Sequence, residues 1–224
     1  MSPSFPPQRF VVLDAASDLG DAVVSTAVVA GHAVCALSPT PEAVTHFSPV
    51  VDYPAIDLQD PEALTEVLEG ADAAVLTLGD DERDEELTIA LVRAARAVGV
   101  ARLIVTLPLD ALTLTPDGRL ARRAPRRARQ VRDRMTLLAP ATRRPSLLGT
   151  RRALELVRLS GLHATVLAHP PIIVAPGPAP LTRISAALAP PASAELSAAD
   201  AAREILRIVP LESTRGQEYV ISEG

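Results

Sequence analysis

With 224 residues and a net charge of −5, the chain can bury the core of one α/β domain and lacks the basic balance of a nucleic-acid-binding protein. Its single cysteine, Cys35, excludes an intrachain disulfide and a cysteine-rich metal site, and no metal-ligand cluster stands elsewhere. No apolar run reaches membrane-spanning length and no signal-peptide pattern opens the chain, so a cytoplasmic protein without a membrane partner is expected.

Residues 1–8 are proline-rich and read as a flexible tail. Residues 10–38 then read as strand, turn, helix and strand. Phe10–Leu13 is an apolar run of strand length, Asp18 is a candidate helix cap, Leu19–Ala30 is apolar or small at most positions, and Gly31 is placed to end the helix. Ala33–Leu37 is a second buried strand. Such a unit is the first crossover of a parallel sheet. A dinucleotide turn uses glycines for a sharp bend, close pyrophosphate approach and helix–strand packing. Here it reads Asp14-Ala15-Ala16-Ser17-Asp18-Leu19-Gly20, with a glycine at the last of the three expected places.

After a loop at Ser38–Pro41, Val50–Ile56 is a third strand. Asp60 caps a helix that has Pro61 at its first position and ends near Gly70. Ala71–Leu76 enters a fourth strand that runs to Gly79. The acidic run Asp80–Glu86 reads as the solvated first turn of a helix, favoured by the macrodipole, or as a charge that keeps anions from a pocket mouth. That helix continues through Leu87–Val98 and stops at Gly99. Arg102–Leu107 is a fifth strand. Residues 119–152 hold twelve arginines and one acid, Asp133. The segment reads as a solvated helix and loop, or as a docking patch for an anionic ligand or an acidic carrier protein bearing the substrate. A helix and a sixth strand span residues 147–169, a proline-rich loop follows, Glu195–Ala202 enters a last helix, and Gln217–Ser222 is a final strand.

Several of these stretches resemble one family, the NmrA-like NAD(P)H-binding group of atypical short-chain dehydrogenase/reductases (SDR). Asp57-Leu58-Gln59-Asp60-Pro61 is similar to a step that in the family runs beside the adenine. Gly70-Ala71-Asp72-Ala73-Ala74-Val75, the Glu155, Ser160, Gly161, Leu162 and Thr165 pattern, and Leu196-Ser197-Ala198-Ala199-Asp200 match further steps. The resemblance spans about residues 9–223. It implies a Rossmann-like doubly wound parallel sheet with helices on both faces, one domain over 9–224, and a substrate-covering region over 170–196. If a dinucleotide binds, the resemblance and the sheet-edge rule place Ser17, Gly20, Ser38, Asp57 and Gly79 around it. The departures matter as much. Asp14 and Ser17 replace the first two turn glycines. Ser38 and Pro39 stand where NADP-binding relatives often carry an arginine. The family's lysine position falls at Thr150 or Arg151, and no tyrosine lies four residues earlier. All 22 basic residues of the chain are arginine, so the Tyr-x-x-x-Lys pair of typical SDR enzymes is impossible.

In an open α/β sheet, ligands bind beyond the carboxyl ends of the strands. That rule selects His169, Asp14, Thr106 and Asp110 as candidate catalytic residues. His169 is an acid/base candidate by its ordinary pKa, or a structural histidine bonding a loop carbonyl. Asp14 is a helix-capping residue or a charge that opposes phosphates. Thr106 is a hydrogen-bond donor or a packed strand end. His163 is expected at the opposite edge, and His32 and His46 in exposed early loops. Three functions follow. The first is a small-molecule biosynthetic enzyme without a dinucleotide, doing acid/base cyclisation, isomerisation or dehydration, with bacterial secondary metabolism as the expected setting. The second is an NAD(P)H-dependent reductase. The third is a non-catalytic sensor or partner-binding protein. The leading expectation is therefore no cofactor, with NAD(P)H as the alternative, a small-molecule substrate, and homo-oligomerisation left open.

Overall fold

Five short apolar segments, each covered on both sides, make the centre of the fold. The computed structural model describes residues 6–39, 50–79, 83–113, 145–174, 181–185 and 195–223. In chain order it contains β1 (Arg9–Leu13), α1 (Asp18–Val29), β2 (Ala33–Leu37), β3 (Val51–Asp52), α2 (Pro61–Leu68), β4 (Ala73–Thr77), α3 (Asp84–Val98), β5 (Leu103–Pro108) and α4 (Leu109–Thr113). These are followed by α5 (Pro145–Leu159), β6 (Thr165–His169), β7 (Ile172–Ile173), β8 (Leu181–Ser185), β9 (Leu196–Ser197), α6 (Ala198–Ile208), a 3-10 turn (Glu212–Thr214) and β10 (Glu218–Glu223).

The sheet order is β3-β2-β1-β4-β5-β6-β10-β8. All neighbours are parallel except β8, which runs antiparallel to β10. This is the expected doubly wound Rossmann-like fold. Strands β1, β4, β5 and β6 are apolar along nearly their whole length because helices cover both faces. One face packs Val11, Leu13 and Val105 against α2, α3 and α5 through Leu64, Leu91 and Leu154. The other packs Phe10, Val12 and Leu167 against α1 and α6 through Val23, Ile205 and Ile208. Strand order reverses between β1 and β4, which opens the crevice where such sheets bind ligands.

Local sequence sets several boundaries. The Asp60 side chain accepts from Glu62 N at 2.9 Å, with Pro61 next, so α2 begins where the sequence places it. Gly99 ends α3 in the left-handed region at φ 67. The α1 cap is Ser17 rather than Asp18: its hydroxyl accepts from Gly20 N at 3.1 Å, and Asp18 is the first helical residue. The third strand is two residues, not seven, because the chain after Asp52 turns toward the Asp57–Asp60 step instead of extending the sheet. Within the expected covering region, residues 181–185 are the sheet's antiparallel edge strand, paired from Tyr219↔Ser185 to Glu223↔Leu181. His32 is half-buried rather than exposed, its ring centroid 5.0 Å from that of Phe10, and burial lowers its pKa. His46 and residues 119–144 of the arginine-rich segment lie outside the described residues.

Candidate functional site

The turn after β1 keeps its shape without its first two glycines, and each replacement has a physical account. Asp14 adopts φ 61, the left-handed conformation that glycine would supply. Aspartate is one of the few side chains that enter this region. Its carbonyl accepts from Ser17 N at 3.1 Å and from Ser17 Oγ at 2.8 Å, which closes the bend. Ser17, at the second glycine place, folds its hydroxyl inward over the helix end, 3.2 Å from Thr77 Oγ1. Thr77 Oγ1 in turn reaches Leu13 O at 3.1 Å, tying β4 to the end of β1. Gly20 has no substitute: a β-carbon there would sit 2.9 Å from Ala15 Cα and closer still to the Asp14 carbonyl. Helix and strand pack too tightly for any side chain, which is the third glycine's role.

Above this turn lies a cavity of about 370 Å³. Ser17, Asp18 and Leu19 bring the amino end of α1 to it, Thr77 and Gly79 come from β4, Pro108 and Asp110 from the β5–α4 junction, and His169 with Pro170–Ile172 from β6 and beyond. The expected residues Ser17, Gly79, Asp110 and His169 thus meet in one place. The Asp14 carboxylate is directed to its edge, since a β-carbon at Gly79 would lie 3.9 Å from Asp14 Oδ2. Thr106 is not part of the lining. It is fully buried one row below Pro108, and its Oγ1 has no partner among the described residues.

His169 occupies the predicted place and has the structural role as well. Its ring is 7% exposed, and Nδ1 lies 2.8 Å from Pro170 O. A carbonyl partner requires a proton on Nδ1, which leaves Nε2 as the acceptor. Burial pushes the pKa down to about 4, against a smaller upward pull from the Pro170 carbonyl. At neutral pH the ring is therefore uncharged and is no source of an imidazolium proton. Both residues at which the family's lysine position can fall, Thr150 and Arg151, make intrachain contacts. Thr150 is fully buried between α5 and α3 and donates to Asp84 Oδ2 at 2.5 Å. The last two residues of the arginine-rich segment make intrachain pairs, Arg151 with Glu155 at 3.8 Å and Arg152 with Glu85 at 3.1 Å. Cys35 is 2% exposed, and burial beside Asp52 raises its thiol to about 11, so it contributes no nucleophile. His163 lies at the opposite edge, beside Gly216.

A second cavity of about 240 Å³ lies across the turn. Ser38 and Pro39 from the end of β2, Asp57 and Gln59 from the step before α2, and Arg83 at the start of α3 surround apolar walls from Ile56, Leu58 and Leu87. Ser38 and Asp57 therefore belong to this cavity and not to the one beneath His169. Arg83 is the residue that sequence reasoning missed. Its signal was present as the single cation in the acidic run Asp80–Glu86, directly after a strand end.

Comparison with known proteins agrees with this layout. A family model described as NAD(P)H-binding matches residues 15–210. A search of curated proteins found no match. Among solved structures, a candidate NADH-flavin reductase from Streptococcus pneumoniae superposes with a TM-score of 0.73 at 16% identity, covering 97% of this chain and 100% of that one. An oxidoreductase from Lactococcus lactis gives 0.71 at 15%, covering 96% and 91%. A short-chain dehydrogenase/reductase from Veillonella parvula, in complex with NADP, gives 0.69 at 15%, covering 96% and 94%. At these identities the structural likeness is one of fold. The family match overturns the expectation that no dinucleotide binds. That expectation rested on two lost glycines and a missing arginine, yet Asp14 holds the glycine-like bend, Ser17 turns inward, and an arginine reaches the second cavity from α3. A cofactor-free cyclase or isomerase finds no support in these comparisons.

Proposed function

Because the chain belongs to the NAD(P)H-binding family, we propose that it is an NAD(P)H-dependent oxidoreductase of the atypical SDR type, acting on a small conjugated acceptor. The observation that supports this reading most is the placement of two cavities at one sheet edge, either side of the α1 amino terminus. A dinucleotide has that layout: two ring systems flanking a pyrophosphate. The residues fit the group. The amino end of α1 borders the larger cavity through Ser17, Asp18 and Leu19, and helix amino ends favour anions. Gly20 lets α1 pack closely on the turn after β1, and Ile56, Leu58 and Leu87 offer an apolar slot for the adenine, with Asp57 at its rim. Asp14 opposes the phosphates by charge, which weakens binding without blocking the slot.

Bound there, NAD(P)H would supply the hydride chemistry. The protein's part is to hold and orient. His169 walls the larger cavity with Nδ1–H committed to Pro170 O, so its ring offers an acceptor, not a proton. Pro108, Leu109, Leu147 and Ile172 add apolar surface to a wall that also carries Thr77 and Asp110. The chain has no lysine, and neither Tyr53 nor Tyr219 lines this cavity. Among the described lining residues there is no tyrosine or lysine to donate a proton, which suits an acceptor that needs none in the hydride step, such as a flavin or quinone, better than a simple ketone. The candidate NADH-flavin reductase of the same fold is consistent with that class.

The test is anaerobic oxidation of NADPH and NADH, followed by absorbance, with FMN and menadione as acceptors. Turnover above the protein-free rate with either acceptor is the expected result. Calorimetry showing no binding of any dinucleotide would overturn the reading. Binding without turnover would redirect the acceptor class alone.

A further inference from the structure

We propose that His169 Nε2 accepts a hydrogen bond from a ligand N–H, and that the larger cavity thereby selects ring systems that carry such a donor. This deepens the oxidoreductase reading and rests on its dinucleotide site. The lining side chains have spent their own donors. The Ser17 hydroxyl donates to Asp14 O at 2.8 Å, and Thr77 Oγ1 donates to Leu13 O at 3.1 Å. Nδ1 of His169 donates to Pro170 O at 2.8 Å. Asp18 and Asp110 bring carboxylates, which accept, and the other lining residues are glycine, leucine, isoleucine and proline. Among the described lining residues, no side-chain N–H or O–H is left for a ligand.

The ring of His169 is the complement of that shortage. Nδ1 is turned back to the main chain of the next residue, which leaves the outer end of the ring, with Nε2, toward the cavity that His169 lines. Nε2 has no hydrogen-bond partner among the described residues, although the side chain is buried. Burial also keeps the ring uncharged at neutral pH, so the Nε2 lone pair stays in place. The nearest main chain is equally bare of donors. Pro108, the register partner of His169 on β5, and Pro170 and Pro171 after it have no N–H. A buried acceptor without a donor is costly, and a ligand that brings the donor removes that cost. Two conjugated rings of the proposed reaction carry one: the nicotinamide through its carboxamide NH2, and an isoalloxazine through its imide N–H. Menadione offers carbonyl oxygens alone.

Isothermal titration of the full chain tests this without any turnover, with two pairs of probes that differ in the donor alone. NADP+ is compared with its 3-acetylpyridine analogue, which has a methyl group in place of the amide NH2. Lumiflavin is compared with its N3-methyl derivative, with NADP+ present. In at least one pair the probe with the donor should bind about tenfold tighter, and the pair that shows it tells whether the dinucleotide or the acceptor makes the bond. His169→Phe keeps a ring and removes the acceptor. It should abolish the preference and leave the affinity of the donor-free probe within about twofold. His169→Gln, whose amide oxygen can accept, should keep part of the preference. Melting curves of both variants check that the fold persists. Equal affinities within both pairs, or a preference that survives in His169→Phe, would overturn the assignment and leave the oxidoreductase reading intact. Failure of the dinucleotides to bind would overturn that reading, and the lumiflavin pair would then decide the role of His169 by itself. Absence of binding by every probe would overturn both.

Discussion

The two ends of the sheet bury polar groups in opposite ways. At the amino end, Arg102 is 3% exposed, and its guanidinium donates to Val209 O at 3.1 Å, to Ile208 O at 3.2 Å and to Thr214 Oγ1. Thr165 donates to Thr214 O at 2.6 Å. These bonds tie the start of β5 to the end of α6, where a cation also meets the helix dipole, and β6 to the 3-10 turn that follows. At the carboxyl end, Ser17, Thr77, Asp110 and His169 line a cavity, with the Asp14 carboxylate near its edge. Both sets bond main-chain carbonyls, but those at the first end are enclosed on every side, whereas those at the second also form the wall of a cavity. The difference separates a lock from a site, and it should separate stability from binding.

The largest effect is expected at the lock. Arg102→Ala strands the carbonyls of the α6 end and the Thr214 hydroxyl in a buried space, at a cost of about 4 kcal/mol. For a domain of this size the melting temperature should fall by roughly 10 °C. Dinucleotide affinity, measured by calorimetry below the transition, should be unchanged. A loss of affinity equal to that of a site variant would erase the distinction between the two ends.

How much of this was legible in the sequence depends on the distance over which each residue acts. Asp60-Pro61 and Gly99 act within one helical turn, so their roles were readable. Gly20 was readable because a turn of fixed spacing demands it. Ser17 and Asp18 are both capping residues by type, and only the position of the Ser17 hydroxyl over Gly20 N decides between them. Strand β8 was hidden because its pairing partner, β10, supplies the pattern that flanking prolines obscure. Arg83 meets Ser38 only through the sheet order, across 45 residues of chain, so no local pattern could announce it. The His169 position followed from the sheet-edge rule, but its bond to Pro170 O was one of two open readings until the ring was placed.

His169 gives the second effect, a pH dependence that Arg102 should not show. Its folded pKa, about 4, lies below the ordinary value of 6.5 because burial disfavours the charged ring. Between these values the unfolded chain binds the proton and the folded chain does not. Stability conferred by the neutral ring is therefore present above pH 6.5 and is lost as pH falls toward 4, by about 3 kcal/mol in all. Urea unfolding of the wild type and His169→Phe at pH 7 and pH 4.5 isolates the contribution, because other titrating groups are common to both. The wild type should lose more stability over that interval. Parallel losses would mean that the ring is not held neutral.

The smallest effect is expected at Asp14, where two properties of one residue can be separated. The backbone needs φ 61, and the carboxylate faces the place where phosphates would lie. Asparagine tolerates the same backbone and removes the charge, whereas glycine removes the charge and relieves the conformation. Asp14→Asn should change stability by less than about 0.5 kcal/mol. Asp14→Gly should do much the same, because relief of the left-handed strain is offset by the greater freedom of glycine in the unfolded chain. Both should tighten NADPH binding by roughly threefold to tenfold at low salt, and the gain should shrink as salt screens the pair. If glycine improves affinity and asparagine does not, the obstacle is backbone shape rather than charge. The substitution of the first turn glycine would then matter through the bend it makes, and the carboxylate would be a bystander at the edge of the site.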